Sequence, residues 1–187
     1  MKQEEFKIKG MICSNCLKIL TTELKTTGAE ILEIELGRIV IQYNSEKVAR
    51  QRIVDSICEN EFEIIQDPNM VLSEQIKRWV VHYVWHTFHD EKLSDFLVRK
   101  LLKSYNILSK NFSSSYGRSI ERYHVILKME RVKELIQEAE LSFSEIAYSV
   151  GYQSPPALSK QFKLETGFTL KDYKKSNIRS RIPVDKI

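Results

Sequence analysis

Long apolar runs are missing from this 187-residue sequence, and nothing in it approaches the ~18 consecutive apolar residues of a membrane-crossing helix. The opening MKQEEFKIKG has neither the apolar stretch nor the small-residue cleavage site of a secretory signal. The expectation is a cytoplasmic chain with no membrane partner. Cysteine is scarce: three residues are an odd number and too few for a disulfide framework. In a reducing compartment a close pair then points to metal binding or redox chemistry. Also missing are a nucleophile with a base partner, paired carboxylates in a recognisable motif and a phosphate-cradling glycine loop, which argues against an enzyme.

What is present is the composition of a folded protein, 42% hydrophobic and 29% charged, with length for one generous domain or two small ones. The net charge of +4 conceals an asymmetry about Pro68. Residues 1–68 carry 9 Lys+Arg against 12 Asp+Glu, whereas residues 69–187 carry 20 against 13. A basic half joined to an acidic one suits a polyanion-binding module as well as a solvated surface.

The front stretch alternates strand and helix signals. Phe6 and Ile8 alternate with Lys7 and Lys9 before Gly10, which predicts a strand. Ser14 is placed to cap a helix carrying Leu17, Leu20 and Leu24 on one face, with Gly28 to stop it. Leu32, Ile34 and Leu36, then Ile39, Ile41 and Tyr43 across Gly37-Arg38, predict a hairpin. Ser45 is placed to cap a second helix bearing Ala49, Ile53 and Ile57, and Phe62 to Ile65 supplies a last strand. The order is βαββαβ, a ferredoxin-like unit.

Between the first strand and first helix lies GMICSNC, residues 10–16. Cys13 and Cys16 are soft ligands that can converge on one ion, and a helix N-terminus favours their thiolates. Two sulfurs suit a low-coordinate Cu(I) better than a four-coordinate structural zinc, although Zn(II) and related soft ions stay in play. A redox reading fits less well, because the segment is short for a thioredoxin-like fold and lacks a proline-bearing strand facing the pair. Cys58 reads as a small packing residue at a helix end. In this setting GMICSNC resembles the loop of the heavy-metal-associated domain of copper chaperones and copper-pumping ATPases, over residues 3–66. The resemblance makes Cys13 and Cys16 the metal ligands and Met11 the buried residue supporting them. Ile12 stands in place of the usual Thr, and Glu61 where a Gly often precedes the aromatic, here Phe62.

The back half repeats itself. Residues 93–123 match residues 143–173 at a constant offset of 50, a duplicated unit. Ser104 pairs with Ser154, Leu108-Ser109-Lys110 with Leu158-Ser159-Lys160, Phe112 with Phe162, Gly117 with Gly167 and Tyr123 with Tyr173. Each copy reads as a short helix, a tight turn and a longer helix. Ser142 with Glu145 forms a capping box, Ala147 and Gly151 are small where helices cross, and Ser154-Pro155 opens the next helix. In the first copy Leu97 and Leu101 replace Ala147 and Gly151, so a different turn is expected. With Leu108 and Phe112 inward, Asn106, Lys110 and Ser113 face out with Ser109 at the edge. The equivalents are Pro156, Lys160, Lys163 and Ser159. Lysines there can neutralise phosphates, while Asn and Ser can read base edges.

Two such units joined by an amphipathic helix over Val125 to Ile136 resemble the paired helix-turn-helix domain of the arabinose-regulator (AraC) family. The resemblance rests on SEIAYSVGY, the two LSKxF helices, Arg131 with Leu135-Ile136, and FKLETGFTLKDY, within residues 74–175. Leu170 replaces a common proline. It implies that the reading helices enter successive major grooves about 34 Å apart. His82, His86 and His89 share one face of the leading helix, with spacing open to a transition metal but no acidic or cysteine partner at fixed spacing.

The expected fold is thus α+β: a ferredoxin-like domain (1–66), a linker (67–73), an all-α domain with two helix-turn-helix units (74–176) and a flexible tail (177–187). The expected function is a sequence-specific DNA-binding transcription regulator responsive to Cu(I) or another soft ion at Cys13 and Cys16. Its DNA-contacting candidates are Asn106, Ser109, Lys110, Ser113, Ser154, Pro156, Ser159, Lys160 and Lys163. Candidate partners are double-stranded DNA, a second copy of the chain and RNA polymerase. Two other readings stay open: a regulator whose front domain is a metal-free dimerisation unit, and a metal-handling protein whose back domain only docks.

Overall fold

The structure, a computed structural model, describes residues 1–87, 91–176 and 181–187, without the side chain of Asp185. His89 and the first residues of the tail lie outside the described residues. The chain divides into two units, Met1–Arg78 and Trp79–Ile187.

In the first unit the elements run β1 (Lys2–Lys9), α1 (Ser14–Thr26), β2 (Glu30–Glu35), β3 (Arg38–Tyr43), α2 (Arg50–Glu59), β4 (Glu63–Ile65) and the start of α3 (Pro68–His86). The strands pair antiparallel in the order β2-β3-β1-β4, the split βαβ arrangement that the element order anticipates. Period-two alternation buries Phe6 and Ile8, with Phe6 opposite Ile39 and Ile8 opposite Ile64. Leu20 and Leu24 of α1 and Ile53 and Ile57 of α2 close over that face.

Several local expectations give way to competing physics. The register of β2 against β3 shifts between Ile31 and Glu33, a bulge that changes the inward residue before it and leaves the faces after it as expected. Ile31, Ile34 and Leu36 therefore pack on the core, and Leu32 is exposed. Cys13, and not Ser14, holds the N-cap of α1; Ala49, and not Ser45, holds that of α2, and neither makes a side-chain cap bond. Cys58 is exposed and not packed. Pro68, expected within the linker over 67–73, opens α3. Its missing N–H is harmless at a first helical position. Asp67 caps that helix, its Oδ1 accepting from the Asn69 N–H at 2.9 Å.

The first half of α3 belongs to this unit. Ser73, Glu74 and Ile76 are buried, and the Arg78 guanidinium lies 2.1 Å from where a Cβ on Gly37 would stand. Glu61, at the position where the resembling domains often carry a glycine, adopts φ 63°. That conformation explains the usual glycine and strains any other residue.

The second unit holds the rest of α3, then α4 (Leu93–Leu101), α5 (Tyr105–Tyr116), α6 (Ile120–Glu138), α7 (Phe143–Ser149), α8 (Pro155–Thr166) and α9 (Leu170–Lys175). The duplication is physical as well as textual. Phe112 meets Tyr123 at 5.5 Å between ring centroids, and Phe162 meets Tyr173 at 5.4 Å. Gly117 and Gly167 end α5 and α8 at φ 65° and 78°, with nothing within 4 Å of an added Cβ. Conformation and not space demands glycine there. Ser119 then caps α6, and Thr169 caps α9.

The last residues do not trail free as expected. The Arg181 guanidinium reaches Glu134 at 3.0 Å, and the Ile182 N–H donates to the buried Glu130 carboxylate at 2.9 Å. Glu134 also accepts from Trp85 Nε1 at 2.8 Å and from Arg131 at 2.7 Å. Burial opposes its ionisation, but these partners outweigh it and hold its carboxyl below the usual range. No described helix is long and apolar enough to cross a membrane.

Two outcomes follow for stability. Glu61→Gly relieves left-handed strain and raises unfolding free energy by about 0.5–1 kcal/mol; a lower denaturation midpoint would contradict this. Burial pushes Lys128, which lies 4.9 Å from the Tyr152 ring centroid, down to about 8. The unfolded chain therefore binds the extra proton between about pH 8 and the ordinary lysine range, so the penalty is present below 8 and fades above it. Lys128→Met accordingly gains about 2 kcal/mol over the parent at pH 7, and the gain shrinks as pH rises towards 10; urea melts at both pH values check it.

Candidate functional site

Two constellations carry chemistry, one in each unit. In the second unit, burial of Leu108 and Phe112 turns the opposite side of α5 outward, and Leu158 with Phe162 does the same for α8. Asn106, Lys110 and Ser113 are exposed and Ser109 is half-buried; Pro156, Ser159, Lys160 and Lys163 are exposed and Ser154 is half-buried. The helical arithmetic thus places all nine candidates at or beside the outward faces.

Ser104 and Ser154 occupy the N-cap positions of α5 and α8 without a side-chain cap bond. The hydroxyl of Ser113 donates to the Lys110 carbonyl at 3.2 Å, so its oxygen still has accepting capacity. Arg122, at the start of α6, pairs with Glu165 near the end of α8, which ties α8 to α6. α7 is set by the expected capping box: the Glu145 N–H donates to Ser142 Oγ at 3.2 Å, and the Ser142 N–H donates to Glu145 Oε2 at 2.8 Å.

The two turns differ, as the sequence led us to expect. In the second copy the left-handed residue is Gly151 at φ 75°; in the first it is Leu102 at φ 53°, one repeat position later. Gly151 therefore serves the turn's backbone conformation, and the close helix crossing falls to the buried Ala147. Residue typing in the sequence passed over Ile107. It is exposed on the first turn of α5, at the repeat equivalent of the exposed Ala157, and the fifty-residue offset was the signal that pointed to it.

In the first unit the loop after β1 brings Cys13 Sγ and Cys16 Sγ to 3.2 Å. Cys13 is exposed at the N-cap of α1 and Cys16 is buried, above the fully buried Met11 and the nearly buried Ile12. The Cys16 thiol donates to the Gly10 carbonyl at 3.7 Å. Burial, with the Cys13 sulfur beside it, pushes the Cys16 thiol above its ordinary value. Backbone N–H groups of Cys13 and Ile12 pull the other way but lose. The expected thiolate preference at a helix start is therefore reversed at Cys16.

The donor set fits a soft, low-coordinate ion: two convergent sulfurs, one reachable from solvent. Among the described residues no three His, Cys, Asp or Glu side chains form a group that could hold a metal. His82 and His86 are exposed neighbours with ring centroids 5.2 Å apart. Burial first, then His86 and Lys100, lowers the His82 value.

Residues 97–176 match the family model described as a helix-turn-helix domain. The chain is 37% identical over 67 residues to the Msm operon regulatory protein of Streptococcus mutans, covering 36% of this chain and 24% of that one. It is 27% identical over 67 residues to the copper chaperone CopZ of Bacillus subtilis, covering 34% of this chain and 97% of the chaperone. The chain thus spans about a quarter of the Msm regulator's length. Among solved structures, the C-terminal domain of AraT, a response regulator from Geobacillus stearothermophilus, shares its fold. The TM-score is 0.52 at 22% identity, over 63% of this chain and 92% of that one. Two helix-turn-helix repeats thus lie in and just before the segment that matches the helix-turn-helix family model, with the fold of the AraT C-terminal domain, and the βαββαβ unit that precedes them in sequence is similar to a copper chaperone.

Proposed function

We propose that this is a cytoplasmic, sequence-specific DNA-binding transcription regulator whose grip on duplex DNA responds to a soft metal ion, Cu(I) first, held by Cys13 and Cys16. The observation that carries the DNA half is the repeated outward face of α5 and α8, basic and polar at matching positions of a duplicated unit. Lys110, Lys160 and Lys163 neutralise phosphates. Asn106, Ser109, Ser113 and Ser159 offer donors and acceptors to base edges in the major groove. Ser154, with an N-cap hydroxyl not used for capping, and Pro156 approach the backbone, so the second helix anchors more than it reads. A second copy of the chain and RNA polymerase are the further partners this reading calls for.

The metal half rests on the paired sulfurs 3.2 Å apart and on the likeness to copper chaperones, one of which is matched over almost its whole length. Bound there, a soft cation would neutralise thiolate charge. The chain's own part is to converge the sulfurs, release two protons to solvent and keep Cys16 dry. A ligand shifts DNA affinity only by the difference in its own affinity for the two forms of the protein.

Two measurements test this reading. On a duplex selected from random sequence, Lys110→Ala, Lys160→Ala and Lys163→Ala each reduce the slope of log affinity against log salt by about 1. They weaken selected and unselected duplexes alike, and an unchanged slope in all three contradicts the assignment. Cys13→Ser with Cys16→Ser abolishes competition for Cu(I) against a chromophoric chelator and removes any Cu(I)-dependent change in DNA affinity. Retained competition would place the metal elsewhere, and equal DNA affinity of parent and variant with and without Cu(I) would contradict the coupling.

A further inference from the structure

The regulatory reading leaves open how α3 would register the state of the cysteine loop, and the first unit contains a contact suited to that task. Glu74 of α3 is 1% exposed. Its Oε2 accepts the backbone N–H of Gly10 at 3.0 Å, across 64 residues of sequence. A buried carboxylate is a costly choice where an apolar side chain would pack as well. A charged acceptor also makes a stronger hydrogen bond to a backbone N–H than a neutral one. Ser73, Ile76 and Lys77 are buried around it, so this segment of α3 is fixed to the unit where that bond is made.

Gly10 is engaged on both sides. Its N–H goes to Glu74 and its carbonyl accepts the Cys16 thiol at 3.7 Å. When Cys16 takes a metal, its proton leaves to solvent and the carbonyl loses its donor. It then faces a sulfur carrying negative charge. Gly10 sits at φ +84°, and the nearest atom to an added Cβ would be 3.8 Å away, so this residue has the freedom to re-aim its two peptide groups. A two-thiolate site with a monovalent cation also adds one net negative charge to a loop whose Gly10 N–H already binds a carboxylate.

We propose that Glu74 is a positioning residue that reports the state of the cysteine loop to α3: it holds the helix through the Gly10 N–H while Cys16 is a thiol, and that hold loosens when Cys16 becomes a metal-bound thiolate. This rests on the metal reading of the pair and specifies how that site is read. The linkage is reciprocal, so removing the Glu74 charge tightens metal binding.

The test uses the full chain, Cu(I) itself, and hydrogen exchange of peptides covering residues 68–78, with Cu(I) affinity from chelator competition. In the parent, one equivalent of Cu(I) speeds exchange in this segment at least threefold. Glu74→Gln keeps the shape and an acceptor without the charge; it binds Cu(I) about 3–10-fold tighter and loses most of the metal-dependent change. Glu74→Ala exchanges fast with or without metal. The proposal is overturned if Cu(I) binds the cysteines but leaves parental exchange over 68–78 unchanged, or if Glu74→Gln responds as the parent does. Failure of Cu(I) to bind the pair overturns this proposal and the metal reading together. A full exchange response with unchanged DNA affinity sinks only the regulatory reading.

Discussion

Burial of Leu108 and Phe112 beneath Tyr123, and of Leu158 and Phe162 beneath Tyr173, fixes which sides of α5 and α8 face solvent. The magnitudes show why this constraint governs the rest. A buried phenylalanine is worth about 3–5 kcal/mol against alanine, whereas a surface charge pair contributes about 0–1 kcal/mol. The lysines on the outward faces therefore do not determine the rotation of these helices. The aromatic and leucine anchors do, and the lysines are left free to meet a polyanion.

The front unit is governed by the opposite kind of economy. A neutral thiol is cheap to bury and a thiolate is not, and burial holds the Cys16 thiol above its ordinary value. In the proposed function a soft cation supplies what reverses that preference. The hydrogen bonds at Gly10, to Glu74 on one side and from Cys16 on the other, are what the proposed coupling uses to report the loop's state to α3.

Much of this was legible in the chain. Alternation at Phe6, Ile8, Ile39 and Ile41 specified β1 and β3, because the period of two survives wherever one face is buried. The fifty-residue offset specified both helix-turn-helix units, since each inward residue recurs with its cap and its left-handed glycine. What failed were cases decided by tertiary context. One residue of bulge turned Leu32 outward and Ile31 inward, with Ile34 and Leu36 kept on the expected face, without leaving a mark in the pattern. Pro68 is ambiguous locally, breaking a helix from inside and starting one from its first position, and only the Asp67 cap settles it. The helix-end effect on Cys16 lost to burial, which depends on Met11 and on packing that spacing cannot show. Glu74 carried no sequence signal, because nothing in a linear pattern tells a buried carboxylate on a helix from a solvated one.

The proposed function makes the duplicated unit two grips on one face of a duplex, and hydroxyl-radical footprinting of the full chain on a duplex selected from random sequence tests that most directly. Two protected patches on the same face, centred about 10–10.5 base pairs apart, are the expected result. A single patch, or two patches on opposite faces, would contradict the account.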